Sequence, residues 1–226
     1  MFLVLKKTYI VIAVILCILA ATVPVVTTLA ITSTEKPVIA IDAGHGGYDG
    51  GVTGVTSGIK ESAINLALAN LLKGYFESDG YKVVMTRTKD EALTASTKKQ
   101  EDMRARASLI NKAAPLLLIS LHVNFYPSSS RRGIQTFYTK EKDIPLAESL
   151  QKRLNATMNI PTLSRSFSPL AADYYLLANV DCPSALVECG FFSNKEDEAL
   201  LLDENYRMRL AFEIFSAIKE DYSLSK

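Results

Sequence analysis

The sequence predicts an α/β fold: a single domain on a mostly parallel sheet with helices on both faces, preceded by one N-terminal transmembrane helix. Three observations carry this. Short apolar, β-branched runs alternate with stretches whose apolar residues recur at helical spacing. The strand-like runs are almost wholly apolar, as expected where both faces of a parallel sheet are covered. Residues 8–34 contain no charge and 9–31 are nearly all apolar, long enough for a bilayer core that takes ~20 helical residues.

Lys6 and Lys7 precede the apolar segment, which by the positive-inside tendency leaves the N-terminus in the cytoplasm and the remainder outside. The segment exceeds the ~7–15-residue core of a cleaved signal. Residues 28–30, Thr-Leu-Ala, make a poor cleavage site, so a retained anchor is expected, with secretion after cleavage as the alternative. The net charge of +1 over 226 residues argues against nucleic acid as a partner. Cys17 falls in the apolar segment, behind a leucine too large for a lipoprotein-type site. Cys182 and Cys189 are separated by a strand-like stretch. Seven extended residues span ~23 Å, far beyond disulfide reach, so both are expected as buried thiols.

Pro37 opens the first strand, and residues 38–51 read V-I-A-I-D-A-G-H-G-G-Y-D-G-G, a buried run that breaks into glycines around one histidine. Ile64, Leu68, Leu72 and Phe76 mark one face of a helix over 61–79, ended by Gly80. A strand over 81–86 and a polar surface loop over 89–101 follow. Met103, Ala107 and Ile110 set a helix over 102–113, stopped at Pro115, and an all-apolar strand over 116–121 ends at His122. After a loop at 128–132, a strand is expected over 133–138. Ala147, Leu150, Leu154 and Met158 define a helix over 143–158. Residues 161–172 read as irregular, and 174–178 and 184–188 as strands. Ser193-Asn194-Lys195-Glu196 reads as a capping box. The last helix, over 204–219, turns Leu210, Ile214 and Ile218 inward. No internal repeat or second domain is visible.

Four residues carry candidate chemistry. His45 follows the first strand, His122 and Glu188 end later strands, and Glu61 opens the first long helix. In open α/β sheets ligands bind at the carboxyl ends of the strands. Two imidazoles and a carboxylate on that rim form the donor set that holds catalytic zinc with an open fourth position, and a further glutamate can act as acid and base. Each residue also has an ordinary reading. A lone histidine at a strand end is usually a hydrogen-bonded structural residue, and a glutamate opening a helix favours the positive end of its dipole. Glu188 is harder to explain so, because it sits among apolar neighbours.

The segments D-A-G-H-G-G-Y-D-G-G, K-E-S-A-I-N-L, I-S-L-H-V-N and A-L-V-E-C-G-F-F-S-N, in that order, resemble the zinc-dependent N-acetylmuramoyl-L-alanine amidases of bacterial cell walls. The resemblance spans residues 36–222. It implies that His45, Glu61 and His122 bind one zinc ion and that Glu188 is the catalytic acid/base. Arg106 and Asn111 also match a family pattern, with a structural role expected. The resemblance further implies hydrolysis of the amide between muramic acid and L-alanine of peptidoglycan. Residues 133–187 look too short for the plugging helix of some relatives, and no wall-binding repeat is present. A short anchored amidase of this kind is similar to the germination-specific enzymes of spore-forming bacteria, which trim cortex stems so that muramic lactam can form.

The expected organisation is a cytoplasmic stub and anchor (1–31), a linker (32–36), the amidase domain (37–222) and a short tail (223–226). The domain is expected outside the cytoplasmic membrane, with a regulatory protein as a further partner. Competing readings are a non-catalytic wall-binding scaffold and a zinc peptidase cutting elsewhere in the stem. Arg131-Arg132 reads as a solvated basic turn, with stem-carboxylate pairing as the alternative. The lysine-rich 89–100 stretch reads as surface variation, and Tyr174-Tyr175 as core and strand face.

Overall fold

Alternation along the central strands sorts the chain into two cores. In β1 (Val38–Ala43), Ile39, Ile41 and Ala43 face one side and Ala40 the other, because successive side chains of a strand point to opposite faces. The same alternation runs through β3 (Leu117–Asn124) and β6 (Ser184–Phe191). The larger core joins Leu117, Ile119, Leu121, Ala185 and Val187 to helices on one face of the sheet, chiefly α1 (Glu61–Ser78), α3 (Ile144–Leu154) and α5 (Glu204–Ser216). The smaller core packs Leu118 and Leu186 against Ala107 and Ile110 of α2 (Lys99–Ala113), with Leu176 and Leu177.

The computed structural model describes residues 37–222 together with Ile12. The expected anchor, the linker and residues 223–226 therefore lie outside the described residues, among which no helix is long and apolar enough to cross a membrane. With β2 (Lys82–Met85), β4 (Gln135–Tyr138) and β5 (Leu170–Ala171), the strands form one six-stranded sheet. Its order is β2-β1-β3-β6-β4-β5. The β2-β1-β3-β6 pairings are parallel, and β4 runs antiparallel to β6. A mostly parallel sheet with helices on both faces is what the sequence predicts.

Several local expectations are corrected. β3 and β6 continue past His122 and Glu188, so both residues lie within strands rather than at their ends. The ladder is extended through an irregularity between His122 and Asn124 that lets Asn124 pair with Phe191. The expected strand over 174–178 is a helical turn, Tyr175–Ala178. Leu176 and Leu177 are both buried in the smaller core, which neighbours on a strand cannot do. α2 begins at Lys99, earlier than expected. The cap of α4 (Lys195–Leu202) is Asn194, whose side chain accepts from the Glu196 and Asp197 amides. Ser193 Oγ instead accepts from the Tyr126 amide at 3.1 Å. Cys182 and Cys189 are free and buried, as expected.

Phe76 anchors the larger core. Its ring meets Phe215 edge-on at 5.1 Å and Tyr81 at 5.8 Å, with no exposed surface. Phe76→Ala is expected to lower the unfolding free energy by about 3–5 kcal/mol, read as a lower urea midpoint at unchanged slope. A loss below about 1 kcal/mol would show that the α1–α5 contact does not depend on this ring.

Candidate functional site

β1 ends at Ala43, paired with Leu121, while β3 and β6 run on. Beyond that point the side chains of His122 and Glu188, partners in register, have no β1 neighbour beside them. Gly44 follows, and its amide donates to the Leu121 carbonyl at 3.1 Å. A Cβ on Gly44 would lie 2.3 Å from the His122 ring, so only glycine leaves that ring its place.

His45 comes next with φ at 62°, a left-handed conformation uncommon for a residue other than glycine. The carbonyl groups of Ala43, Gly44 and His45 itself are held tightly. Arg106 donates to the His45 carbonyl at 2.6 Å and to that of Ala43 at 3.0 Å. Arg87 donates to the Ala43 carbonyl at 2.8 Å and to that of Gly44 at 3.0 Å. Arg106 is itself anchored by Asp42 at 2.8 Å and Asp102 at 2.7 Å. Asp42 also accepts from Ser120 and Thr86, both at 2.7 Å. Burial alone would raise the Asp42 pKa; the Arg106 charge, His122 and the two hydroxyls hold it below the usual value.

Glu61, the first residue of α1, is buried. Its Oε1 accepts from the Val123 amide at 3.0 Å and Asn65 Nδ2 at 3.1 Å, and lies 2.9 Å from His122 Nδ1. Its Oε2 accepts from the Val52 amide at 3.0 Å and lies 3.2 Å from His45 Nε2. Burial pushes this carboxyl up, but the hydrogen bonds and charges of the two histidines hold it well below the usual carboxylate range. Gly51, at φ 68°, would place a Cβ 2.4 Å from Oε2. The loop that delivers Glu61 is tied down by Glu198, which accepts from the Thr56 and Ser57 amides at 2.9 and 2.6 Å.

His45, Glu61 and His122 thus converge, each offering a ligand atom, all within 4.8 Å of one another. The two rings meet edge-to-face at 5.0 Å. Asp49 Oδ2 lies 2.9 Å from His45 Nδ1, off the line of a well-aligned hydrogen bond, and Lys99 stands 3.2 Å behind it. Two nitrogen donors and a carboxylate suit a borderline-soft divalent ion and leave positions open to a ligand.

Glu188 faces the same cavity of about 430 Å³, walled by Tyr174, Leu176, Leu177 and Leu186. It is buried, and its Oε2 has no hydrogen-bond partner among the described residues. Burial, reinforced by the Glu61 charge and opposed by the two histidines, pushes its pKa up to about 7. The structure therefore brings all four sequence-predicted residues to one cavity.

Of the supporting shell, Arg106 has the structural role that the resemblance implies, and the rest is unassigned in the sequence although part of it is visible there. Asp49 and Asn65 stand four residues after His45 and Glu61, and Asp42 is the lone charge in its strand. Arg87 carried no signal. Asn111 has the structural role expected: its side chain donates to the Asn179 carbonyl and accepts from the Asp181 amide, both at 2.9 Å. Tyr174 is not on a strand; its ring packs edge-on against Phe137 at 5.6 Å.

Residues 39–220 match the family model described as N-acetylmuramoyl-L-alanine amidase. The germination-specific N-acetylmuramoyl-L-alanine amidase of Bacillus subtilis (strain 168) is 34% identical over 189 residues, covering 80% of this chain and 78% of the relative. The CwlD amidase of Clostridioides difficile, solved in complex with the GerS lipoprotein, superposes with a TM-score of 0.78 at 32% identity. It covers 83% of this chain and 99% of that one. The catalytic domain of CwlV from Bacillus (Paenibacillus) polymyxa var. colistinus gives 0.72 at 26% identity, covering 83% and 98%. The chain belongs to the N-acetylmuramoyl-L-alanine amidase family, and is a hydrolase of an amide bond in peptidoglycan.

Proposed function

We propose that the chain is a zinc-dependent amidase in which His45, Glu61 and His122 hold a single zinc ion and Glu188 is the acid/base catalyst. One observation carries the reading. Three ligand atoms gathered within 4.8 Å share a cavity with a buried carboxyl whose Oε2 lacks a partner. Held there, zinc would supply the Lewis acidity that activates a water near neutral pH and polarises the scissile carbonyl. Glu188 accepts the proton of the attacking water at Oε2 and returns it to the departing amine of L-alanine. Asp49, with Oδ2 2.9 Å from His45 Nδ1, sets a negative charge behind that ring. Tyr174, Leu176 and Leu177 keep bulk water from Glu188, which sustains its raised pKa.

The substrate setting proposed is spore cortex, supported by the germination-specific relative. A regulatory protein partner is proposed by analogy with the lipoprotein-bound relative. Residues 9–31 are proposed to anchor the domain on the outer face of the cytoplasmic membrane. A mature protein whose N-terminal sequence begins at residue 31 or later would overturn the anchor.

Digestion of purified peptidoglycan followed by mass spectrometry is expected to release stems with a free N-terminal L-alanine; cuts inside the stem would indicate a peptidase instead. Glu188→Gln is expected to keep stoichiometric zinc and lose about 10²–10⁴-fold in kcat; wild-type turnover would refute its role. His122→Ala and Gly44→Ala are both expected to lose zinc, the second because its methyl displaces the His122 ring. Full metal content in His122→Ala would refute the ligand set.

The metal-free protein carries a pH signature. Glu188 favours its proton in the folded state, so its contribution is present below the normal carboxyl range and is lost as pH rises to about 7. His122 is raised as well: burial lowers it, but Glu61, Glu188 and Asp42 outweigh that. Its contribution is therefore present below its unfolded pKa and lost as pH rises through the folded one. Both act in the same direction. Tm of the metal-free protein is expected to fall between pH 5 and pH 8, less steeply in Glu188→Gln, and the rise on adding zinc is expected to be larger at pH 8. An equal zinc-induced rise at pH 6 and pH 8 would rule this coupling out.

A further inference from the structure

A second groove, of about 710 Å³, opens beside the catalytic cavity and shares Phe125 with it. One wall is the loop after β3, with Pro127, Ser129 and Arg132. The other is the turn into α4, with Asn194, Lys195 and Glu196. The walls are fastened to each other. Asn194 Nδ2 donates to the Ser129 carbonyl at 2.7 Å, and the Tyr126 amide to Ser193 Oγ at 3.1 Å. The groove is thus formed before anything enters it, and its volume falls in the ~300–1,000 Å³ range of ligand sites.

Its charges select an occupant. Asp197 takes the Nε side of Arg132 at 3.2 Å while also accepting from the Gly133 and Phe191 amides at 2.7 and 3.1 Å. That aims the guanidinium, whose two Nη nitrogens make no hydrogen bond to any described residue. Lys195 is exposed and is in no ion pair among the described residues; Glu196 opposes the two cations. Arg131 is occupied elsewhere, 4.6 Å over the Tyr126 ring. The basic pair weighed together in the sequence therefore divides: Arg131 stacks, and Arg132 faces the groove.

We propose that this groove is the subsite for the stem peptide of the substrate, with Arg132 and Lys195 meeting its free carboxylates. The proposal rests on the amidase reading above. The scissile amide separates a glycan of N-acetylated, uncharged sugars from a peptide that carries free carboxylates. Of those two flanks, only the peptide is complementary to two cations beside an apolar floor of Val55, Phe125 and Pro127. A guanidinium with two free nitrogens on one edge binds a carboxylate in two-point fashion, while the lysine acts as a point charge.

The test uses the full-length protein loaded with zinc and two synthetic muramoyl peptides of equal length, one with free stem carboxylates and one with carboxamides. In the wild type, the kcat/KM ratio of acid over amide substrate is expected to exceed one, mainly through KM. Lys195→Ala and Arg132→Gln are each expected to lower that ratio about five- to tenfold, roughly 1–1.4 kcal/mol, and Lys195→Arg to restore it. Lys195→Ala removes an exposed side chain, so it keeps the test open if Arg132→Gln unfolds. An unchanged ratio in Lys195→Ala overturns the proposal, as does a variant that instead changes the preference for one sugar over two. Hydrolysis of neither substrate by the wild type would instead refute the amidase reading.

Discussion

Two buried guanidiniums holding three consecutive carbonyl groups are the constraint on which the site depends. Arg87 and Arg106 are 3% and 2% exposed, and between them they bind the carbonyls of Ala43, Gly44 and His45. A buried cation is costly unless paired and hydrogen-bonded. Arg106 has Asp42 and Asp102; Arg87 has carbonyls, those of Lys89 and Ser62 included. Such networks contribute little stability over a well-packed apolar substitute. Their effect here is positional. A left-handed His45 costs on the order of 1–3 kcal/mol, and the clamp offsets that cost while fixing the direction in which the imidazole leaves the chain.

Electrostatics then sets what the cavity can hold. Glu61 stays ionised because amides, Asn65 and two imidazoles point at it. Glu188, a few ångströms of sheet away in register with His122, has no such donors and favours its proton. Two carboxyls in one cavity are thereby driven apart in pKa, the arrangement expected where one ligates and the other exchanges protons. With Asp42 and Asp49 behind the rings, the cavity has an excess of anionic groups. Protons on His122 and Glu188 relieve that excess in the metal-free protein, and a divalent cation relieves it more fully.

Strand alternation and helical spacing made most of the fold legible, because the central strands and the long helices each bury a continuous face. Residues 174–178 misled because Tyr-Tyr-Leu-Leu-Ala is short and apolar, and at that length strand and helix patterns coincide. The misplaced strand ends have a different cause. Glu188 and His122 look terminal because polar and glycine residues follow, yet the backbone pairing continues through the irregularity to Phe191. The four site residues were legible as chemistry, since two histidines in 226 residues leave few alternatives. Arg87 was not, because its contacts run to backbone carbonyls 25 and 43 positions away, and no side-chain pattern encodes such a partner.

The same two strands serve both regions of the binding surface. β3 carries His122 and then passes into the loop bearing Phe125 and Arg132. β6 carries Glu188 and then passes into the turn bearing Asn194 and Lys195. Because β3 and β6 are paired to Phe191 and their loops are bonded to each other, the groove cannot shift without moving His122 and Glu188. A peptide held in the groove is therefore held at a fixed distance from the reacting groups. Binding energy gained there orients the scissile amide as well as retaining the substrate. The irregularity between His122 and Asn124 gains a purpose in this light: it turns β3 from strand to groove wall within three residues of the candidate ligand, next to a site, where such irregularities concentrate.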